Sequence, residues 1–206
     1  PATSTATVIE RFQSAGAIQT AALHLTEFAF GPTGHNYVLG HARNPWDPTK
    51  TPGGSSGGSS SAVAAGMVPL CSASDGGGSI RIPASMTGCY GIKPTAGRIP
   101  RAQGHAPTWG VFSTLGPMAR TVRDSAALLD LLAGPAPGDL ATIPPPARPW
   151  LDEVAAPPGC LRVALTTEPF FGHQTHPECV EAAEETGRLL EALGHEVVVA
   201  RPPFDR

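Results

Sequence analysis

Residues 52–98 read PGGSSGGSSSAVAAGMVPLCSASDGGGSIRIPASMTGCYGIKPTAGR. Two Gly/Ser-rich turns are joined there by a run of small residues and an apolar segment. The first turn, Gly53 to Gly58, passes into Ser59–Gly66, whose Ala and Val content suits a loop entering a helix packed closely by small residues. Met67–Ser74 then reads as a buried strand. The second turn is Asp75-Gly76-Gly77-Gly78-Ser79, so that Ser55 and Ser79 stand 24 positions apart. A Gly/Ser run standing alone is ordinarily flexible linker, but this one is embedded between apolar elements. A phosphate cradle would need N–H groups at a helix start, yet Gly-x-x-x-x-Gly-Lys-Ser/Thr is absent and no lysine closely follows either turn. Nucleophilic catalysis fits better. Glycines let several N–H groups converge on one point, and a serine ending such a turn can attack a carbonyl while those groups hold the oxyanion.

Upstream, residues 3–16 carry Val8, Ile9, Phe12 and Ala15 at helical spacing with Gly16 as a stop, leading to a short strand at Ala17–Ile18. Leu25–Pro52 is rich in turn residues and reads as loop. Downstream, a short helix is expected near Pro83–Gly88 and a strand near Gly91–Lys93. Thr121–Ala133 is the clearest helix: Thr121 and Asp124 form a capping-box-like start, Val122, Leu128, Leu129 and Leu132 its buried face, and Gly134-Pro135 its end. Residues 135–159 are Pro-rich and read as an extended surface connection. Leu161–Leu165 reads as a strand, Pro177–Leu193 as a helix with Val180, Ala183, Leu190 and Leu193 inward, and Glu196–Ala200 as a strand. This β-loop-α-β order predicts an α/β fold with a parallel sheet.

Composition narrows the partners. Charged residues are 15% of the 206, against about 25% in ordinary domains, and the net charge is -3 with pI near 6.2. No Lys/Arg cluster tracks a phosphate backbone, so no nucleic acid is expected, and no apolar run approaches the ~20 residues of a spanning helix, so no membrane is expected either. The 24 Gly and 23 Pro lack the collagen period. Cys71, Cys89, Cys160 and Cys179 stand far apart and read as buried thiols in a reducing, cytoplasmic compartment. The seven histidines have no metal-ligand spacing. Neither a metal nor an organic cofactor is expected.

The stretch 52–98 resembles the amidase signature family, and the resemblance continues through TEFAFGPTG, GHARNPWDPTKTPGG, STLGPMARTVRDSAALLDLLAG and HPECVEAAEETGRLLEALGHEV in the family's order. It implies an amidase signature fold, with a mixed, largely parallel sheet flanked by helices. It further implies hydrolysis of carboxylic amides through a Ser, cis-Ser, Lys triad. Ser79 would be the nucleophile and Ser55 the relay after a cis peptide. The N–H groups of Gly76, Gly77, Gly78 and Ser79 would form the oxyanion hole. Ser56 would support the relay by hydrogen bonding, and Asp75 and Arg81 would brace the nucleophile loop.

The family's base lysine belongs to a segment upstream of the helix near Thr3, and neither Lys50 nor Lys93 occupies its position. The expectation is therefore a partial amidase domain over residues 1–206. It would hold a signature core at 1–134, a Pro-rich connection at 135–160 and a further β-α-β segment of the same domain at 161–206. ASDGGGSIRIPAS, RTVRDSAALLDLLAGPAPGD and HPECVEAA most resemble the group that includes 6-aminohexanoate cyclic-dimer hydrolases, so the partner expected is a small-molecule amide, with a homodimer compatible. Two rivals stand beside this reading: the A subunit of a glutamyl/aspartyl-tRNA amidotransferase, and an inactive binding module that keeps the fold.

Overall fold

Every second residue from Cys71 to Asp75 is buried, the period-2 pattern of a strand with one face on a core, and Leu70–Asp75 is strand β1. In the computed structural model, which describes residues 4–101, 110–169 and 173–203, β1 pairs antiparallel with Thr114–Ala119 (β3), and Tyr90–Gly91 (β2) pairs antiparallel with the far side of β3. β3 is central although it reads Thr-Leu-Gly-Pro-Met-Ala. Gly116 is required there, because a Cβ would stand 2.3 Å from the Ile92 carbonyl oxygen. Pro117 has no N–H for the ladder and instead accepts from the Ile92 N–H at 3.2 Å.

Two apolar clusters hold the first unit, Pro1–Ala155. Val8, Ile99, Leu128, Leu129 and Leu132 bury together, drawn mainly from α1 (Thr7–Ser14) and α4 (Val122–Leu132). Ala73, Ile80, Ala84 and Met118 form the second, beside the two short helices that follow the Gly/Ser turns, α2 (Gly57–Ala64) and α3 (Arg81–Thr87). The first turn of α4 is closed by Thr121, whose hydroxyl accepts the Asp124 N–H at 3.0 Å and donates to its carboxylate at 2.7 Å. The opposite end is closed from α1. The Arg11 guanidinium donates to the carbonyls of Leu132, of Ala133 at 2.9 Å, of Gly134 at 3.2 Å and of Pro135 at 2.9 Å, a cation on the negative end of the helix. Asn44 and Trp46 serve α3 likewise, donating to the carbonyls of Met86 and Thr87 at 2.8 Å.

Residues 135–155, expected as an extended connection, are tied into this unit. Asp139 accepts from the N–H groups of Ala136 and Arg101. Arg98 donates to the Pro144 carbonyl and lies 5.1 Å from the Trp150 ring centroid. Asp130 caps the single turn α5 (Trp150–Glu153) by accepting from Trp150 and Leu151. The unit boundary therefore falls after Ala155, inside the Pro-rich stretch rather than at its start.

The second unit, Ala156–Arg206, is a β-α-β element. Arg162–Leu165 (β4) and Glu196–Val199 (β5) pair in parallel, Arg162 opposite Glu196. Between them α6 (Pro177–Ala192) turns Val180, Ala183, Gly187 and Leu190 to its covered side. Leu193, expected on that side, is 65% exposed because the helix ends before it.

Three expectations change. Among the described residues parallel pairing is confined to β4 and β5, since β3 returns between β1 and β2 and runs against both. Ala17–Ile18 forms no strand. Of the cysteines only Cys71 is buried, and Cys160 and Cys179 are exposed.

Arg11→Ala leaves three or four carbonyls at the end of α4 without their charged donor. Unfolding in urea should show a loss of about 2 kcal/mol, with Arg11→Lys restoring only part of it, since an ammonium cannot fan across four acceptors.

Candidate active site

The chain leaves β1 at Asp75 and enters α3 at Arg81, so the turn that carries Ser79 spans five residues. The strand alternation turns the Asp75 side chain to the buried face, where it has no solvent exposure. Its Oδ1 accepts the Gly78 N–H at 2.7 Å and Arg81 Nη2 at 3.0 Å. Its Oδ2 accepts the N–H groups of Ile80 at 3.2 Å and Arg81 at 3.4 Å, and Arg81 Nε at 3.0 Å. One carboxylate thus closes the turn and caps α3, whose own N-cap residue, Ile80, makes no side-chain hydrogen bond to it. Burial pushes this carboxyl up and is the largest single influence, but the Arg81 guanidinium and the Ile80 and Gly78 N–H groups together outweigh it and hold it below the ordinary aspartate range. Gly78 adopts φ 127°, a conformation open to glycine.

The first Gly/Ser turn packs against this one. The Gly54–Ser55 peptide is cis, and Ser55 is buried. The Ser55 carbonyl accepts the Thr26 N–H at 2.9 Å, and the Ser56 N–H donates to the Ser79 carbonyl at 3.2 Å. The Ser56 hydroxyl donates to the Ser74 carbonyl at 3.3 Å and accepts the Ser74 N–H at 3.4 Å, while Ser59 donates to the Ser72 carbonyl at 3.4 Å. Serines three apart on a helix start therefore meet alternate residues of β1. Backbones touch on the other side of α2. The Gly58 N–H donates to the His24 carbonyl at 2.9 Å, and a Cβ on Gly58 would stand 2.4 Å from that oxygen.

Ser55, Ser56, Asp75, Ser79 and Arg81, singled out in sequence, are thus brought together by direct bonds between their two turns. Gly78 differs from expectation: its N–H is engaged by Asp75. The N–H groups of Gly76, Gly77 and Ser79 have no hydrogen-bond acceptor among the described residues. Thr26, Ser74 and His24 were not read from the sequence, because each joins the site through its backbone, which leaves no compositional signal. The loop Thr26–Gly34 carries a further feature. Phe28 and Ala29 both sit at φ 56°, a left-handed conformation that costs an L-residue roughly 1–2 kcal/mol.

A cavity of about 440 Å³ opens beside Ser56 and Ser59, between residues 17–25 and β1. Cys71 lines it; burial, then the neighbouring Cys89, pushes its thiol up to about 11, so it is protonated near neutrality. Among the described residues no group of three His, Cys, Asp or Glu is placed to hold a metal ion, and no helix is long and apolar enough to cross a membrane.

Comparison with known proteins decides the family. The family model described as Amidase matches residues 1–204. The chain belongs to the amidase family. It is 42% identical over 213 residues to AmiA2 of Mycobacterium tuberculosis, an alignment covering 99% of this chain and 42% of that protein. It is 39% identical over 202 residues to the A subunit of the glutamyl-tRNA(Gln) amidotransferase of Azotobacter vinelandii, covering 92% of this chain and 40% of that one. The solved structure of 6-aminohexanoate cyclic dimer hydrolase complexed with substrate superposes with a TM-score of 0.91 at 36% identity, over 98% of this chain and 42% of that one. The amidase fold is therefore present, in a chain spanning about 40% of the length of the relatives it matches.

Asp75 sets an acid limit. Its folded pKa is depressed, so its contribution is complete above the unfolded value near 3.8 and is lost as pH falls through the lower folded value. Asp75→Asn should lower stability by about 2–3 kcal/mol at pH 7, and the difference from the parent, measured by urea titration at several pH values, should shrink below pH 4.

Proposed function

We propose that the complete protein is an amide hydrolase acting through a serine acyl-enzyme, with Ser79 as nucleophile and Ser55 as proton relay. The observation that carries this reading is the bond from the Ser56 N–H to the Ser79 carbonyl, 3.2 Å, which joins the cis Gly54–Ser55 turn to the Asp75–Ser79 turn. Serine is a weak nucleophile at its own pKa and needs a base. No hydrogen bond among the described residues links Lys50 or Lys93 to Ser55 or Ser79, and the base in this proposal is a neutral lysine from outside residues 1–206. It takes the proton of Ser55 as Ser55 takes that of Ser79. Ser79 Oγ then bonds the amide carbon, and the developing oxyanion is held by the N–H groups of Gly76, Gly77 and Ser79. Collapse breaks the C–N bond, the proton returns through Ser55 to the departing amine, and water afterwards cleaves the Ser79 ester to release the acid. Ser56 and Arg81 position the two turns, the first through Ser74, the second through Asp75.

Likeness to 6-aminohexanoate cyclic dimer hydrolase, at TM-score 0.91, supports small linear or cyclic amides as substrates. The 39% identity to the A subunit of an amidotransferase supports a second reading, in which ammonia from glutamine passes to a separate partner protein. The two separate on simple amides supplied to the protein alone: a hydrolase turns them over without a partner.

Aromatic and aliphatic amides should be hydrolysed by the complete gene product, with Ser79→Ala abolishing turnover and Ser55→Ala lowering kcat by about a thousandfold, read by release of ammonia or amine. Absence of turnover across a broad amide panel would overturn the hydrolase reading and leave the amidotransferase subunit and the binding module.

A further inference from the structure

We propose that the Thr26 hydroxyl is a positioning group for the relay serine of this same site: it closes the loop Thr26–Gly34 over Gly54 and so fixes where Ser55 stands. The chemical consequence is selectivity between amides and esters. The inference rests on the amide-hydrolase reading above and deepens it.

Two bonds of one residue are the first observation. The Thr26 N–H donates to the Ser55 carbonyl at 2.9 Å, and the Thr26 hydroxyl accepts the Gly34 N–H at 2.9 Å. Thr26 is 5% exposed and Ser55 2%, so water has little room to take either partner's place. A buried N–H left without its acceptor is destabilising, and the Gly34 N–H is kept paired by this one side chain.

Close packing is the second. A Cβ built on Gly54 would meet Thr26 Oγ1, the Gly34 nitrogen and the Gly31 oxygen within 3.0 Å. The glycine thus lies in a cradle of three polar atoms, and the Thr26–Gly34 bond is one of its walls. Gly34 is tied to the same turn from its other side: a Cβ there would stand 2.8 Å from the Gly53 oxygen, and its carbonyl accepts the Ala42 N–H at 3.0 Å. Thr51 adds a second staple, its hydroxyl donating to the Thr33 carbonyl and accepting the Gly53 N–H at 3.2 Å. Atoms packed this closely transmit a displacement instead of absorbing it. Loss of the Thr26–Gly34 bond therefore moves Gly54, and Ser55 with it.

Relay chemistry turns that position into selectivity. Ser55 gives its proton to the base as it takes that of Ser79, and on collapse it returns a proton to the departing nitrogen. An amine cannot leave as its anion, whereas p-nitrophenolate leaves an ester without a proton. A displaced Ser55 therefore slows the cleavage of an amide more than that of an ester with the same acyl group. A general loss of fold lowers the two alike. Thr26 acts here through Ser55 and not on the substrate.

The test is Thr26→Val in the complete gene product, with phenylacetamide and p-nitrophenyl phenylacetate as probes that share one acyl group. Valine lacks the acceptor and sets a methyl group against Gly54. For the amide, kcat/KM should fall about thirtyfold, through kcat, with KM within about twofold of the parent, and for the ester by no more than about threefold. Thr26→Ser keeps the oxygen and should restore the amide rate to within about threefold of the parent. Thr26→Ala removes the acceptor without adding the methyl and makes the same comparison if the valine protein does not fold. A crystal structure of the folded variant should show Ser55 displaced. Equal losses on the two probes, no loss, a serine variant as slow as the valine one, or an unmoved Ser55 overturns the proposal. A displaced Ser55 in the variant of a parent that hydrolyses neither probe sinks the hydrolase reading and leaves the hold of Thr26 on Ser55 standing.

Discussion

A carboxylate with no access to water must find its partners inside the fold, or its desolvation costs several kcal/mol. Asp75 finds five donors within six residues of itself: three backbone N–H groups and two nitrogens of Arg81. The turn between β1 and α3 can therefore close only along the path that brings those donors to one point. Ser79 lies on that path, so its place is set by the bonds of Asp75 to its neighbours together with the one its own carbonyl accepts from the Ser56 N–H. Because Arg81 is half-exposed, the pair keeps its charge balanced at the edge of the core, where the desolvation cost is smallest.

The neighbouring turn follows from that placement by contact distance. Gly54 and Gly58 stand so near Thr26 and His24 that a methyl group would collide with atoms 2.4 Å away. The serines between and after them carry the hydrogen bonds that this approach requires: Ser56 to Ser74, Ser59 to Ser72, Ser60 to Gly57, Ser61 to Arg43. The GGSSGGSSS composition is thus the chemistry of two backbones packed at contact distance and stitched by hydroxyls, the reverse of a flexible linker. Such a site needs few charges, in keeping with a chain only 15% charged.

Elements whose signals lie within four positions were legible. α4 announced itself through Leu128, Leu129 and Leu132 and through the Thr121–Asp124 cap, and α6 through its apolar spacing and Pro177 at its first turn. Elements formed by partners far along the chain were not. Nothing in TLGPMA reads as a central strand, since Gly and Pro are poor strand formers; β3 exists because Gly116 lets Ile92 approach and because β1 and β2 both pair with it. Ala17–Ile18 shows the converse, an apolar pair with no strand to join. Cys160 and Cys179 were misread because cysteine is usually buried, whereas the elements around them leave both in solvent.

The residues alone determined α1 to α4 and α6, the Thr121–Asp124 cap of α4 and the two serine turns, because those depend on neighbours within a turn of helix or a tight loop. They also carried the resemblance to the amidase family. Tertiary structure decided the antiparallel order of β1, β3 and β2, the diversion of the Gly78 N–H to Asp75, and the closure of the Thr26 hydroxyl on the Gly34 N–H. It also set which carbonyl each serine meets: Ser56 reaches Ser79 and Ser74, and Thr26 reaches Ser55. Hydrogen bonds and van der Waals contacts act over a few ångströms of space regardless of separation along the chain, so their pairing becomes definite only when the backbone has closed.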